Sequence, residues 1–258
     1  MARLRFGTFN ILHGKSLAAG TVREDELRAA AVGLDTDVLA LQEVDRGQPR
    51  SQKVDQAAAV AEALDAPWWR YAPAFTGAPN RPFTPADPMS DGPGPSFGIA
   101  LVSRLPVLQW YGRRFPAAPI PMPLTIAGEQ GLSAVRDHPR VALAAVVVGP
   151  DGAFTVVATH LSFVPAWNVR QLRSIVRWAG RMPSPRILLG DLNLPGRLPA
   201  VISGWGQLAR APTFPSWRPR VQWDHILADG FASGTIREVA THRLPISDHT
   251  ALTVDVDW

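Results

Sequence analysis

The stretch Ile187-Leu188-Leu189-Gly190-Asp191-Leu192-Asn193 sets the reading of the whole chain. A short apolar run is a buried strand by its length, and this one stops at a glycine followed by an acid and an amide. Taken singly, that ending is more often a turn than a functional group. Its weight comes from repetition. Phe6-Gly7-Thr8-Phe9 ends at Asn10, Val38-Leu39-Ala40-Leu41 runs into Gln42-Glu43, and Val156-Val157-Ala158-Thr159 ends at His160. Trp223-Asp224-His225 opens a strand, and Ile246-Ser247-Asp248-His249 precedes the last one. Apolar strands that repeatedly terminate in acids, amides and imidazoles deliver those groups to a common cleft.

The remaining pattern places these strands in an α/β fold. Glu24 to Leu34 is a predicted helix, with Leu27, Ala30, Ala31 and Leu34 on one face. An alanine-rich helix follows at Val54–Leu64 and a third at about Ala166–Ala179. Strands are predicted at about Trp69–Ala74, Gly98–Ser103, Val107–Arg113, Val141–Val148 and Phe154–Thr159, the last two joined through Gly149-Pro150-Asp151-Gly152. Further strands read at Trp223–Leu227, Thr235–Ala240 and Ala251–Val256. Trp68-Trp69, at a strand start, reads as core. Two proline-rich stretches, Thr76 to Ser96 and Phe115 to Pro139, are long enough to be functional loops. No shift in composition marks a boundary, so residues 1–258 are expected to form a single domain. Many antiparallel strands favour a layered sandwich over a doubly wound parallel sheet.

Composition narrows the chemistry. The chain has no cysteine, which excludes disulfides, a thiolate nucleophile and Cys-based metal sites. Of its 26 basic residues only Lys15 and Lys53 are lysines, and the arginine fork suits phosphate. A net charge of +4 is nonetheless no nucleic-acid tail. The N-terminus runs straight into a strand, and no run of apolar residues suits a membrane span. A cytoplasmic location without an obligate protein partner is the expectation. The strand-end set holds hard oxygen groups and two histidines, with no zinc spacing. That suits Mg²⁺ or Mn²⁺ and hydrolysis at phosphorus.

The same motifs resemble the endonuclease/exonuclease/phosphatase superfamily, in order from Phe6 to Val256. They are Thr8-Phe9-Asn10, Leu41-Gln42-Glu43-Val44, Gly98 to Arg104, Thr159-His160-Leu161, Gly190-Asp191-Leu192-Asn193, Trp223 to Leu227 and Ser247-Asp248-His249. The resemblance implies a four-layered α/β/β/α sandwich of two packed, mostly antiparallel sheets. It also implies roles. Glu43 would be the principal Mg²⁺ ligand, with Asn10 beside it and Asp248 completing the site. Asp191 would orient and deprotonate the attacking water. Asn193 and His160 would donate to phosphate, and His249 would face it as an imidazolium held by Asp224. Arg140 stands where relatives place a phosphate-contacting arginine. His13 reads as structural, and His225 is expected to point away from Asp224 on the other strand face.

The substrate must be read from loops. Phe214, Trp217 and Arg218, just before Asp224, are candidates to stack on a base and hold a backbone phosphate. The leading expectation is a Mg²⁺-dependent phosphodiesterase acting on nucleic acid or a nucleotide-like substrate. The alternative keeps the chemistry and replaces the substrate by a lipid or sugar phosphate. A binding module on a dead enzyme scaffold is disfavoured, because Asp191, Glu43 and His249 are all present.

Overall fold

A computed structural model describes residues 2–78, 82–124, 131, 133–231 and 236–258. In chain order the first half of the described residues contains β1 (Arg3–Asn10), α1 (Glu24–Leu34), β2 (Val38–Arg46), α2 (Gln56–Ala63), β3 (Trp68–Thr76), β4 (Thr84–Pro85), β5 (Ser96–Ser103) and β6 (Val107–Phe115). Next come β7 (Met122–Leu124), β8 (Ser133–Val135), β9 (Arg140–Gly149), β10 (Gly152–His160), α3 (Trp167–Ala179), β11 (Arg186–Asp191) and α4 (Leu198–Ser203). The last elements are β12 (Gly206–Gln207), β13 (Asp224–Asp229), β14 (Ile236–His242) and β15 (Ala251–Asp257). No helix among the described residues is long and apolar enough to cross a membrane.

Two sheets dominate. One runs β14-β15-β1-β2-β5-β3-β4, the other β12-β13-β11-β10-β9-β6. Every neighbouring pair is antiparallel except one in each sheet, β1 with β2 and β10 with β11. Those two exceptions position the site. A parallel pair brings two strand C-termini side by side, so Asn10 lies opposite Gln42 and His160 opposite Asp191. The antiparallel partner β13 starts where β11 ends, setting Asp224 against Asp191.

The sheets pack face to face through Phe6, Val38, Ala40 and Leu101 on one side and Leu143, Val156, Ala158 and Leu189 on the other. Helices cover the outer faces. Leu27, Ala30, Ala31 and Leu34 of α1 are buried as their spacing predicts, against Leu39, Leu41 and the α2 residue Val60. Glu24, Asp25 and Glu26 in its first turn complement the helix dipole, and Asp35 in the left-handed region ends it. On the other sheet, α3 buries Leu172, Ile175 and Ala179 against Ala144, Val157 and Leu188. The result is the α/β/β/α sandwich expected from the sequence.

Three details differ from that expectation. The helix α4 falls where no helix was predicted, six residues with a proline in the first turn and no helical apolar stripe. The two proline-rich loops carry short strands, β4 and the β7–β8 hairpin, too brief for a periodicity signal. Trp68 and Trp69 are 40% and 37% exposed rather than core, although both pair with β5 at the start of β3. Thr235, the predicted start of the penultimate strand, lies outside the described residues.

Candidate active site

Backbone geometry prepares the cleft before any side chain does. Gly190 adopts φ +153°, and a Cβ there would meet the Thr159 carbonyl oxygen at 2.0 Å. Only glycine lets β11 lie this close to β10 immediately before Asp191. In β2, the register with β5 slips between Leu41 and Val44, and Glu43 takes φ 57° at that bulge. Bulges re-aim side chains, and a strained non-glycine residue at one marks a functional position. Asn193 (φ 48°) turns rather than extends: its N–H donates to Asp191 Oδ1 at 3.0 Å, closing a turn that brings both side chains to one cavity. The serine of Ser247-Asp248-His249 is a tie. Its hydroxyl donates to the Asn10 carbonyl at 2.6 Å and accepts the His249 N–H at 3.0 Å, locking this turn to the end of β1.

These segments converge on a cavity of about 890 Å³. Asn10, Glu43, Arg140, His160, Asp191, Asn193, Asp248 and His249 all line it. Asp224 sits behind, fully buried, and accepts the His249 Nδ1–H at 2.8 Å. Phe214 packs on the other face of His249, ring centres 5.0 Å apart. Burial alone would lower the His249 pKa, but the Asp224 charge and hydrogen bond, with Asp191 and Asp248, raise it to about 10. His249 is therefore an imidazolium at neutral pH, with Nε2 3.8 Å from Asp191 Oδ2. Burial, then the Asp224 charge, push Asp191 up to about 7 against its bonds from Asn10 and the Asn193 N–H.

Asn10, Asn193 and His160 differ in detail from the sequence expectation. The Asn10 amide donates from Nδ2 to Glu43 Oε1 at 3.2 Å and to Asp191 Oδ2 at 3.1 Å, while its Oδ1 accepts the Leu12 N–H. It thus bridges and orients two carboxylates instead of offering an oxygen to a cation. Both Asn193 amide hydrogens are taken, by the Leu161 carbonyl at 3.0 Å and His160 Nε2 at 3.3 Å. Nε2 of His160 is consequently an acceptor, and burial with the Arg140 charge holds its pKa well below the usual value. Neither group donates to phosphate in this arrangement. His160, 3.5 Å from Asp191 Oδ2, lines the carboxylate as a neutral ring.

Arg140 is buried and pairs with Asp137 through Nε and Nη2 at 3.3 and 3.1 Å, while its buried Nη1 has no partner among the described residues. Burial would raise Asp137, but Arg140, the Ala118 N–H and the Ser162 hydroxyl hold it low. Trp217 and Arg218 stay outside the cavity, on the exposed loop behind His249. His13 lines the cavity, and burial pushes it down to about 3. His225 does turn from the cleft, donating Nε2–H to the Leu194 carbonyl at 2.8 Å.

Sequence reasoning missed the cavity's far wall. Phe75 and Phe97 meet His138 there, their rings each 5.3 Å from the imidazole, and Phe83 packs on Phe75 at 4.7 Å. His138 Nδ1 must be protonated, since it lies 3.0 Å from a carbonyl oxygen that can only accept, and burial lowers its pKa to about 3. Pro82 and Phe83 from one proline-rich loop and Ser133 to Arg136 from the other cover this end. Loop length was the sole signal for them.

A divalent cation fits the donor set. Glu43 and Asp248 are carboxylates in one cavity, and burial followed by the Asp248 charge pushes Glu43 up, a repulsion that a cation would relieve. Oxygen ligands of this kind suit Mg²⁺. Asp191, Asp224 and His249 also place potential ligand atoms within 4.8 Å of one another. That trio is better read as an ion pair, because a protonated imidazole has no lone pair for a metal.

A sandwich with acids, amides and imidazoles gathered at its strand ends is the architecture of phosphoester hydrolases of one superfamily. Residues 7–249 match the Endonuclease/Exonuclease/phosphatase family, and the chain belongs to it. Its members hydrolyse phosphoester bonds and typically depend on a divalent metal. No curated protein matches the chain. Among solved structures, an endonuclease/exonuclease/phosphatase from Beutenbergia cavernae is similar at 23% identity and TM-score 0.63, covering 99% of this chain and 72% of its own. A mannosyl-6-phosphatase from Bacteroides thetaiotaomicron shares 16% identity at TM-score 0.63, covering 99% and 100%. Sphingomyelinase C from Streptomyces griseocarneus shares 16% at TM-score 0.64, covering both chains fully. At these identities the likeness is one of fold.

Proposed function

We propose that residues 1–258 act as one domain, a Mg²⁺-dependent phosphodiesterase of nucleic acid in which Asp191 activates the attacking water. The observation that carries the chemistry is the setting of Asp191, buried between the Asn10 amide, neutral His160 and the Asp224–His249 pair. A carboxylate raised to about 7 is suited to take a proton near neutral pH. His249, cationic and held by Asp224, stabilises negative charge growing on the phosphoryl oxygens. Arg140 Nη1 is a free donor for a non-bridging oxygen, its other nitrogens fixed by Asp137. Asn193 keeps His160 and Asp191 in place. Glu43 and Asp248 would hold Mg²⁺, with Mn²⁺ a plausible substitute, and the ion would supply charge neutralisation at the phosphate.

Two features support a nucleic acid. The basic residues are almost all arginine. Trp217 and Arg218, outside the cavity, are useful only to a substrate that extends beyond it. The test is turnover of plasmid DNA, single-stranded DNA, RNA, phospholipid and inositol phosphates with Mg²⁺ or EDTA, for the native protein and Asp191→Asn. Loss of at least ~100-fold in kcat is expected for the variant. Turnover retained in Asp191→Asn removes the base assignment. Turnover of another phosphoester without cleavage of DNA or RNA removes the nucleic-acid assignment.

A further inference from the structure

The chain's charge is strongly polarised. Residues 161–223 carry nine arginines and a single acid, Asp191, which lies in the cavity. That segment holds +8, so the rest of the chain, out of a total of +4, holds −4. Opposite it, residues 24–65, with α1 and α2, carry ten acids against four bases. The sandwich is therefore acidic on one helical layer and basic on the other.

Pairing leans the same way. Arg3, Arg5, Arg28, Arg46, Arg50 and Arg104, all outside the segment, each bond to a carboxylate. Within it, and among the described residues, Arg186 alone does so, to Asp229. On α3, Arg170 and Arg173 are exposed and have no acidic partner among the described residues, and Arg177 and the following Arg181 repeat this. Spacings of three and four residues put Arg170, Arg173 and Arg177 on one helix face about 10 Å long, and Arg181 follows in the turn beyond its end. Arg170 also stacks over Trp167, its guanidinium carbon 5.2 Å from the ring, and half-buried Trp178 lies further along the helix.

This face adjoins the catalytic floor. Trp167 opens α3 and donates Nε1–H to the Pro116 carbonyl of the loop over the cavity. The next residue, Asn168, donates to the Asn193 carbonyl at 2.8 Å. From the far side, Arg218 and Arg220 sit on the exposed loop whose Ser216 N–H bonds the Asp248 carbonyl. Uncompensated arginines therefore stand on two sides of one phosphoester site.

We infer that the arginine face of α3 is a docking track for the backbone of single-stranded nucleic acid whose scissile phosphate lies in the cavity. This rests on the phosphodiesterase reading. Unpaired guanidinium groups at helical intervals meet successive phosphates, and adjoining tryptophans offer stacking surfaces for bases. A single strand, narrower and more flexible than a duplex, is the better match for a pocket of about 890 Å³. A membrane surface suits α3 less well, because its apolar residues Leu172, Ile175 and Ala179 are committed to the sheet.

The test is the affinity for fluorescein-labelled oligothymidylate across a salt series in EDTA, for native protein and the double variant Arg173→Glu/Arg177→Glu. A control, Arg23→Glu/Lys53→Glu, makes the same charge change beside the acidic layer. Engagement of four arginines gives a log–log salt slope near about −3, falling to about −1.4 in the α3 variant. We expect a ~10-fold or larger loss of affinity in the α3 variant, little change in the control, and unchanged turnover of bis(p-nitrophenyl) phosphate with Mg²⁺ in both. Absence of native binding, equal losses in both variants, or no loss in the α3 variant overturns the inference. So does a loss seen only with phosphatidylglycerol-containing vesicles. Binding through α3 without cleavage, while the chromogenic diester still turns over, supports the track and refutes the nuclease reading.

Discussion

Replacing Asp224 by asparagine tests the electrostatic core of the site. Asp224 is completely buried and accepts the His249 Nδ1–H at 2.8 Å. Asparagine keeps the shape and can still accept that hydrogen bond, but it removes the charge. The His249 pKa stands at about 10 against an ordinary 6.5, a difference worth about 5 kcal/mol between the protonated and neutral forms. Without the Asp224 charge, the largest influence opposing burial is gone and only Asp191 and Asp248 still favour the cation, so the His249 pKa should fall towards the ordinary value. The sign for stability follows. A histidine raised on folding contributes stability that is fully present below its unfolded pKa and lost as pH rises through the folded value near 10. The variant should therefore be destabilised most at pH 6 and progressively less towards pH 10.

Two measurements check this without reference to metal. NMR titration of the histidine rings in EDTA should show His249 cationic past pH 8 in the native protein and neutral there in Asp224→Asn. Urea unfolding across the same range should give a stability difference of several kcal/mol at pH 6 that shrinks on the alkaline side. In turnover assays with Mg²⁺, the alkaline limb should move down by ~3 pH units, and kcat at pH 8 should fall ~100-fold. A His249 titration unchanged in the variant, or a stability loss that grows with pH, would refute the reasoning.

Other expectations follow from the same geometry. Gly190→Ala places a Cβ 2.0 Å from the Thr159 carbonyl, a backbone atom that cannot yield without parting β10 from β11, so a loss of at least ~4 kcal/mol in urea unfolding is expected. Arg140→Met leaves Asp137 charged and buried without its partner, costing about 3–5 kcal/mol, and Asp137→Asn in the same chain should recover part of it in a double-mutant cycle. Mg²⁺ should raise the thermal midpoint of the native protein in proportion to the logarithm of its concentration, and Glu43→Gln should abolish most of that rise.

The division between what the sequence displayed and what it hid has a physical cause. Groups at or beside the ends of apolar strands were visible because those strands deliver them to one sheet edge: Asn10, His160 and Asp191 end β1, β10 and β11, Glu43 stands at the β2 bulge and His249 just ahead of β15, and all five line one cavity. Their hydrogen-bond directions were not visible. Whether Asn10 offers its oxygen or its amide depends on Leu12, whose N–H captures Oδ1, and on carboxylates 33 and 181 residues away. Likewise the aromatic wall adds Phe83 and His138, from loops that lack periodicity, to Phe75 and Phe97 near the ends of β3 and β5. Trp217 and Arg218 illustrate the converse. Their position beside Asp224 in sequence suggested the cleft, yet a turn through Ser216 carries them to the surface.

The topology explains why so small a set of strand ends suffices. In an all-antiparallel sheet, adjacent strands end at opposite edges, and neighbouring C-terminal residues never meet. Each sheet here breaks that rule once, and the two parallel pairs face one another across the core, with β1 packing on β11. Three strand C-termini, carrying Asn10, His160 and Asp191, and the Gln42-Glu43 bulge of β2 beside them consequently open at one end of the sandwich. Antiparallel β13 adds its first residue, Asp224, to the same place. Carboxylates brought this close repel, and the structure answers with the Asn10 amide and the His249 imidazolium. The surplus of acid that remains, at Glu43 and Asp248, is where a divalent cation has electrostatic reason to bind.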